Sequence, residues 1–144
     1  MSKKDTEELE NELAETDDLK KFFAENETNL YNFTLAEYLN QLLVEKNLSK
    51  TDVVKKSELG DYAYHIFAGR KNPSREKVIA LALAMQLSFE ECQKLLYYAD
   101  AKKLYARDTW DDVIIYALKN NLTVQQTNEL LNNFDETPLL GDIF

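Results

Sequence analysis

Five helix starts are marked in this sequence by a Ser or Thr followed three residues later by Asp, Glu or Gln. In such a capping box the hydroxyl accepts a hydrogen bond from a first-turn N–H, and the later side chain accepts one from the N–H of the cap. The five pairs are Thr34 with Glu37, Ser49 with Asp52, Ser88 with Glu91, Thr109 with Asp112, and Thr123 with Gln126. The 144 residues include only three glycines and two prolines, too few for the many tight turns of a sandwich or barrel. The sequence therefore predicts an all-α protein.

Seven helices are predicted from these caps and from apolar side chains that recur with a period of 3.6 residues. They span residues 35–46, 49–56, 60–68, 74–86, 88–99, 109–120 and 123–134. Residues 1–30 form an acidic leader, which we expect to be either partly helical or disordered. We expect a helical domain over residues 34–100 and a C-terminal helical hairpin over residues 101–144 that packs on it.

The last third of the chain repeats the segment before it at an offset of 35 residues. Val78, Ile79, Ala82, Leu95 and Leu96 match Val113, Ile114, Ala117, Leu130 and Leu131. A period near 35 residues is typical of helical solenoid repeats, although only two copies are present here. The C-terminal hairpin is therefore predicted to duplicate the hairpin before it and to extend the same core. Its candidate surface for a second subunit or a protein partner comprises Trp110, Tyr116 and Phe134.

The net charge of −9 is distributed unevenly along the chain. Residues 1–33 contain four lysines and ten acidic residues, and residues 101–144 contain four basic and seven acidic residues. Residues 34–100 contain nine of each sign and are neutral overall. Binding to phosphates requires clustered cations, which a net charge of −9 opposes, but the acid excess lies outside this central part of the chain.

The segment LSKTDVVKKSELGDYAYHIFAGRKNPSREKVIALALAMQLSFEE, residues 48–91, resembles the Xre/Cro/λ-repressor helix-turn-helix family of bacterial and phage regulators. Its most specific match is GRKNPS, residues 69–74, which in the family links the recognition helix to the fourth helix. The resemblance covers about a third of the chain, or nearer half if residues 35–47 are the family's first helix. It implies a five-helix core, here extended by the C-terminal hairpin, which repeats helices 4 and 5.

The resemblance implies a DNA-binding transcriptional regulator that reads the major groove of double-stranded DNA through helix 60–68, as a homodimer. The candidate base contacts are Asp61, Tyr62, Tyr64 and His65. The candidate phosphate contacts are Lys50, Arg70, Lys71, Asn72 and Arg75.

An alternative function is a protein–protein interaction module that keeps the helix-turn-helix fold without reading DNA. Helix 60–68 contains no Arg, Lys, Gln or Asn, and Asp61 would be repelled by phosphates. Such an adaptor, antitoxin-like protein or signalling partner would bind through the acidic leader or the C-terminal hairpin.

No motif for enzymatic chemistry is present, so we expect no enzyme, no cofactor and no metal. His65 is the only histidine and Cys92 the only cysteine, which excludes the usual zinc spacings. Cys92 lies on an apolar stripe and is predicted to be a core residue. Asp111 and Asp112 are predicted to interact with a helix N-terminus through its dipole. A cytoplasmic protein without a signal peptide or a membrane segment is the expectation.

Overall fold

The computed structural model describes residues 4–140, which contain nine α-helices, one short 3₁₀ helix and no strand. This confirms the all-α prediction for the described part of the chain. Contacts divide the chain into two compact units, Met1–Asn32 and Phe33–Phe144. None of the helices within residues 4–140 is both long enough and apolar enough to cross a membrane.

The first unit contains two helices, α1 (Thr6–Glu15) and α2 (Leu19–Glu25), followed by the 3₁₀ helix Glu27–Asn29. A capping box between Asp5 and Glu8 begins α1, with an Asp in place of the Ser or Thr of the predicted boxes. The buried Asn26 donates to Glu12 Oε1 at 2.8 Å and accepts from the Lys4 ammonium at 2.9 Å. The described residues of the acidic leader thus contain two α-helices and one 3₁₀ helix.

The second unit contains seven helices packed on one apolar core. In chain order they are α3 (Leu35–Glu45), α4 (Lys50–Ser57), α5 (Tyr62–Phe67), α6 (Arg75–Ala84), α7 (Phe89–Tyr98), α8 (Thr109–Lys119) and α9 (Val124–Asn133). Helix α6 is central, because it contacts α4, α7, α8 and α9 and buries every residue from Val78 to Ala84. The domain predicted at 34–100 and the C-terminal hairpin therefore share one core.

Three of the five predicted capping boxes form, at Thr34, Ser88 and Thr123. Ser49 accepts from the N–H of Asp52 at 3.3 Å without a reciprocal bond, since the Asp side chain is shorter than that of Glu. The box predicted at Thr109 is wrong. Asp108 caps α8 instead, and the Thr109 hydroxyl donates to Glu136 at 2.6 Å.

Six helices end with a left-handed residue that is not glycine. In α4 it is the C-cap, Glu58, and in the other five helices it follows the C-cap: Asn47, Gln86, Asp100, Asn121 and Asp135. In these five, the N–H of the next residue then reaches back to a carbonyl five positions earlier, as Leu87 does to Ala82 and Leu122 to Ala117. This is the Schellman arrangement, in which glycine is the usual residue. Asn and Asp tolerate the left-handed region better than other side chains, which is how a chain so poor in glycine ends its helices.

Equivalent residues of the two hairpins make equivalent contacts. Helix α9 begins and ends 35 residues after α7. The Gln93 side chain accepts from the N–H of Leu104 at 2.7 Å, and Asn128, 35 residues later, accepts from the N–H of Leu139 at 2.7 Å. Leu104 and Leu139 are both buried. In each hairpin the segment that follows the second helix is thus hydrogen-bonded to a side chain of that helix.

Candidate nucleic-acid interface

Helix α5 is a short helix that a sharp turn, residues 58–61, connects to α4. Glu58 and Gly60 both adopt left-handed backbone conformations, with φ of 61° and 62°. The buried Ser57 hydroxyl donates to the carbonyl of Val54 at 2.7 Å and accepts from the N–H of Leu59 at 3.3 Å. Gly60 therefore lies outside the helix, and α5 is shorter than the predicted 60–68.

Helix α3 holds the C-terminal end of α5. The Asn40 amide donates to the carbonyl of Phe67 at 2.9 Å and to that of Ala36, within α3, at 2.7 Å. Ala63, Ile66 and Phe67 point into the core, which turns the opposite side of α5 to solvent. The contacts with α3 and α4 thus fix which residues of this short helix are exposed.

The four candidate base-contact residues fall into two pairs. Asp61 is the N-cap residue of α5 and is exposed, and the Tyr64 side chain is 38% exposed. Tyr62 is half-buried, and the Lys77 ammonium lies 4.2 Å from the centre of its ring. His65 Nδ1 accepts from Arg70 Nε at 3.1 Å. Asp61 and Tyr64 alone are directed to solvent without such a contact.

The candidate phosphate-contact residues Arg70, Lys71 and Asn72 follow α5 directly and are exposed. Lys50 begins α4, and its ammonium lies 5.4 Å from the centre of the Phe67 ring. Tertiary structure therefore brings Lys50 to the C-terminal end of α5, next to the loop that carries the other three.

Arg75 has a different environment from the one predicted. Its guanidinium donates to the Asp111 carboxylate at 2.9 Å and to the carbonyls of Lys102 and Lys103 at 2.7 and 3.2 Å. Asp111 is buried and also accepts from the N–H of Tyr105 at 2.9 Å. With Nε and Nη2 bound to protein acceptors, Arg75 joins α6 to the start of α8.

The three candidate surface residues of the C-terminal hairpin do not all line the same surface. Trp110 is half-buried and its indole N–H donates to the carbonyl of Thr137 at 2.8 Å. Tyr116 and Phe134 are 55% and 64% exposed. These two line one open cleft of about 610 Å³ between α8 and α9, together with Thr109, Asp112, Val113, Leu130 and Glu136.

Cys92 is a buried free cysteine in the core. Burial raises the pKa of the Cys92 thiol to about 12, so very little nucleophilic thiolate exists at neutral pH. Across residues 4–140, no three His, Cys, Asp or Glu side chains lie close enough together to hold a metal ion.

Three residues that shape these surfaces are not among the predicted site residues. Asn40 and Lys77 act on α5 from other helices, and no local pattern marks either of them. Asp111 was predicted only to interact with a helix N-terminus. The 35-residue repeat matches Arg75 with Trp110, the residue before Asp111. This match is the one sequence signal that relates Arg75 to the start of α8.

No family model, no curated protein and no solved structure matches this chain. The function is therefore inferred from the chain's own residues.

Proposed function

We propose that this protein is a sequence-specific DNA-binding regulator that places α5 in the major groove. The observation that supports it is the arrangement of α4 and α5: two short helices joined by a sharp turn, the second exposed along one side and flanked by Lys50, Arg70 and Lys71. In a helix-turn-helix the second helix enters the major groove and the first crosses the backbone. Residues 33–140 of this unit would supply the supporting core.

In this proposal, one set of residues contacts the bases and another contacts the phosphates. Tyr64 and Asp61 reach base edges, where a carboxylate can accept from cytosine N4. Lys50, Arg70 and Lys71 contact phosphates and set the orientation of the protein. The bond to His65 holds the Arg70 guanidinium at the C-terminal end of α5. Arg75 is left out of the set because Asp111 binds it.

The local charge is compatible with this role despite the acidic chain. Residues 60–77 contain four cations and two acidic residues, whereas residues 1–33 contain four and ten. Because exposed charges are screened beyond about 10 Å at 0.1 M salt, the field at a bound duplex depends mainly on the charges beside α5 and only weakly on the net charge of the chain.

The test is a selection from random double-stranded DNA with the full chain, followed by binding measurements on the selected site and on competitor DNA over a salt series. We expect an enriched sequence, and a palindromic one would show that two copies bind. Tyr64→Ala should lower affinity for the selected site about tenfold and leave competitor binding unchanged. Tyr105→Ala removes a tyrosine outside α5 that is 54% exposed, and it should change neither.

The same salt series tests the phosphate contacts. Lys71→Ala should weaken binding to both DNAs and reduce the slope of log K against log salt concentration by about 0.9. Lys119→Ala changes the net charge equally on the exposed end of α8 and should leave the slope unchanged. Equal effects of the two variants would mean that the loop after α5 does not contact DNA.

One observation favours the second candidate function, a protein-interaction module. Tyr62 and His65 already contact Lys77 and Arg70, so the exposed side of α5 offers only Asp61 and Tyr64 and no basic or amide group. If the selection enriches no sequence and Tyr64→Ala leaves DNA binding unchanged, DNA reading is excluded and this second function is favoured.

A further inference from the structure

The second hairpin has an open apolar cleft between its two helices, well separated in sequence from α5. Val113 and Tyr116 line it from α8, while Leu130 and Phe134 line it from α9 and its C-cap. We name this surface, with its rim residues Asp112 and Glu136, the α8–α9 cleft. Its two aromatic side chains are more than half exposed, which is uncommon for neighbouring large apolar groups.

In the first hairpin, α6–α7, the residues equivalent to the lining of this cleft are buried. The equivalents of Val113, Tyr116 and Leu130 at an offset of 35 residues are Val78, Leu81 and Leu95, which lie in α6 and α7. All three are completely buried. Helices surround that first hairpin, since α6 and α7 contact α3, α4, α8 and α9. The matched positions of the second hairpin thus have the apolar character of a face that packs against helices.

The charges at the rim point to the chemistry of the occupant. Asp112 is exposed, Glu136 accepts from the Thr109 hydroxyl, and residues 101–144 contain seven acidic against four basic residues. A second copy seated on this cleft by a two-fold axis would bring the same acidic rim against itself. Like charges across an interface oppose binding, whereas a basic partner complements the rim.

We infer that the α8–α9 cleft binds an amphipathic helix of another protein, with an apolar stripe flanked by Lys or Arg. The stripe, spaced at i, i+3, i+4 and i+7, contacts Tyr116, Phe134 and the buried floor between them. The cations lie near Asp112 and Glu136. Because α5 takes no part, this binding is independent of the proposed DNA reading.

The probe for the experiment is a fluorescent 15-residue helical peptide with leucines at the stripe positions and lysines elsewhere, and fluorescence anisotropy reports its binding to the full chain. A matched peptide carries glutamate in place of every lysine. We expect one lysine peptide to bind per chain, and the glutamate peptide to bind at least about tenfold more weakly. Asp112→Asn should weaken the lysine peptide several-fold and the glutamate peptide not at all.

Site-directed variants separate binding in the cleft from general attraction to an acidic protein. Tyr116→Ala combined with Phe134→Ala should weaken the lysine peptide at least about tenfold. Tyr105→Ala serves as the matched control and should have no effect. Both cleft side chains are largely exposed, so the variant should keep its circular dichroism spectrum and its urea midpoint.

Two results would overturn the inference. The first is equal binding of the lysine peptide to the wild type and to the double variant. The second is a dimeric wild type, by sedimentation, that Phe134→Asp converts to a monomer, because the cleft would then be an interface between copies. DNA affinity measured on the double variant should equal that of the wild type, so this test and that of the proposed function can fail separately.

Discussion

The hairpins α6–α7 and α8–α9 share a sequence pattern and a set of contacts, yet they differ in how far each is covered. In both, an amide side chain of the second helix binds the backbone N–H of a buried leucine, Leu104 or Leu139. Leu81 of the first hairpin is completely buried, while its equivalent Tyr116 is 55% exposed. A repeated sequence thus specifies the hairpin itself, and the position of that hairpin in the stack decides which of its faces can bind a partner.

The hairpins also differ at the start of their first helices. Arg75 and its equivalent Trp110 both donate to a carbonyl of the segment that follows their own hairpin, Lys102 and Thr137. Arg75 alone also binds a buried carboxylate, that of Asp111. The ion pair therefore belongs to the join between the two copies and not to the repeated unit.

The largest expected difference between the copies is in the cost of truncating the equivalent residues Leu81 and Tyr116. Leu81→Ala leaves a cavity in the core and should lower the free energy of unfolding by about 2–5 kcal/mol. Tyr116→Ala loses little burial and should cost less than about 1 kcal/mol. Urea unfolding of each variant measures both values, and equal costs would mean that the cleft is covered in solution.

A smaller difference is expected in the response to acid, because Glu91 in one capping box corresponds to Gln126 in the other. Burial alone would raise the pKa of Glu91, but hydrogen bonds from the Ser88 backbone and the Lys46 ammonium outweigh it and hold the pKa below 4.5. The bonded carboxylate therefore stabilises the fold above about pH 4.5, and this contribution is lost as the pH falls through the lowered pKa.

Glu91→Gln keeps a cap acceptor but loses the charge, so it should cost about 1 kcal/mol at pH 7, and the cost should shrink as the pH falls through the lowered pKa of Glu91. Gln126→Ala removes the equivalent cap acceptor from a residue that does not titrate, so its cost should not vary with pH. Urea unfolding at several pH values measures both. A cost of Glu91→Gln that stays constant from pH 7 to pH 3 would contradict the assigned role of the carboxylate.

The smallest expected difference concerns the left-handed residues that end α6 and α8. Gln86 and Asn121 have nearly the same φ, 53° and 54°, and both are exposed. Since Asn tolerates this conformation better than Gln, Gln86→Gly should raise the free energy of unfolding by about 0.5–1 kcal/mol and Asn121→Gly by less than about 0.5 kcal/mol. Thermal unfolding of the two variants compares the gains, and a larger gain at Asn121 would contradict this explanation.

Most helix boundaries could be predicted because their signals are local. Thr34, Ser88 and Thr123 bind N–H groups three residues away, and those helices begin where the capping pattern places them. The same reasoning placed α8 on the wrong cap, because Thr109 binds Glu136 27 residues later. The predicted helix 60–68 was too long, since the backbone of Gly60 takes a left-handed conformation that the sequence does not specify.

The candidate sites were less predictable than the helices. Sequence pattern placed Tyr62, His65 and Arg75 on exposed positions, whereas Lys77, Arg70 and Asp111 engage them. It also grouped Trp110 with Tyr116 and Phe134, although only the last two share a cleft. A helical period tells which side of a helix is apolar, but not which polar neighbour will bind an exposed group on it.

The sequence by itself determined that this protein is helical, that its helices begin and end near the caps, and that its hairpin pattern recurs after 35 residues. These features depend on bonds between residues a few positions apart and on the helical period. Only the tertiary structure decided that Arg75 binds Asp111, that Lys50 lies beside α5, and that the second hairpin keeps an open apolar cleft. Those outcomes depend on residues far apart in the chain, which come together only when the core packs.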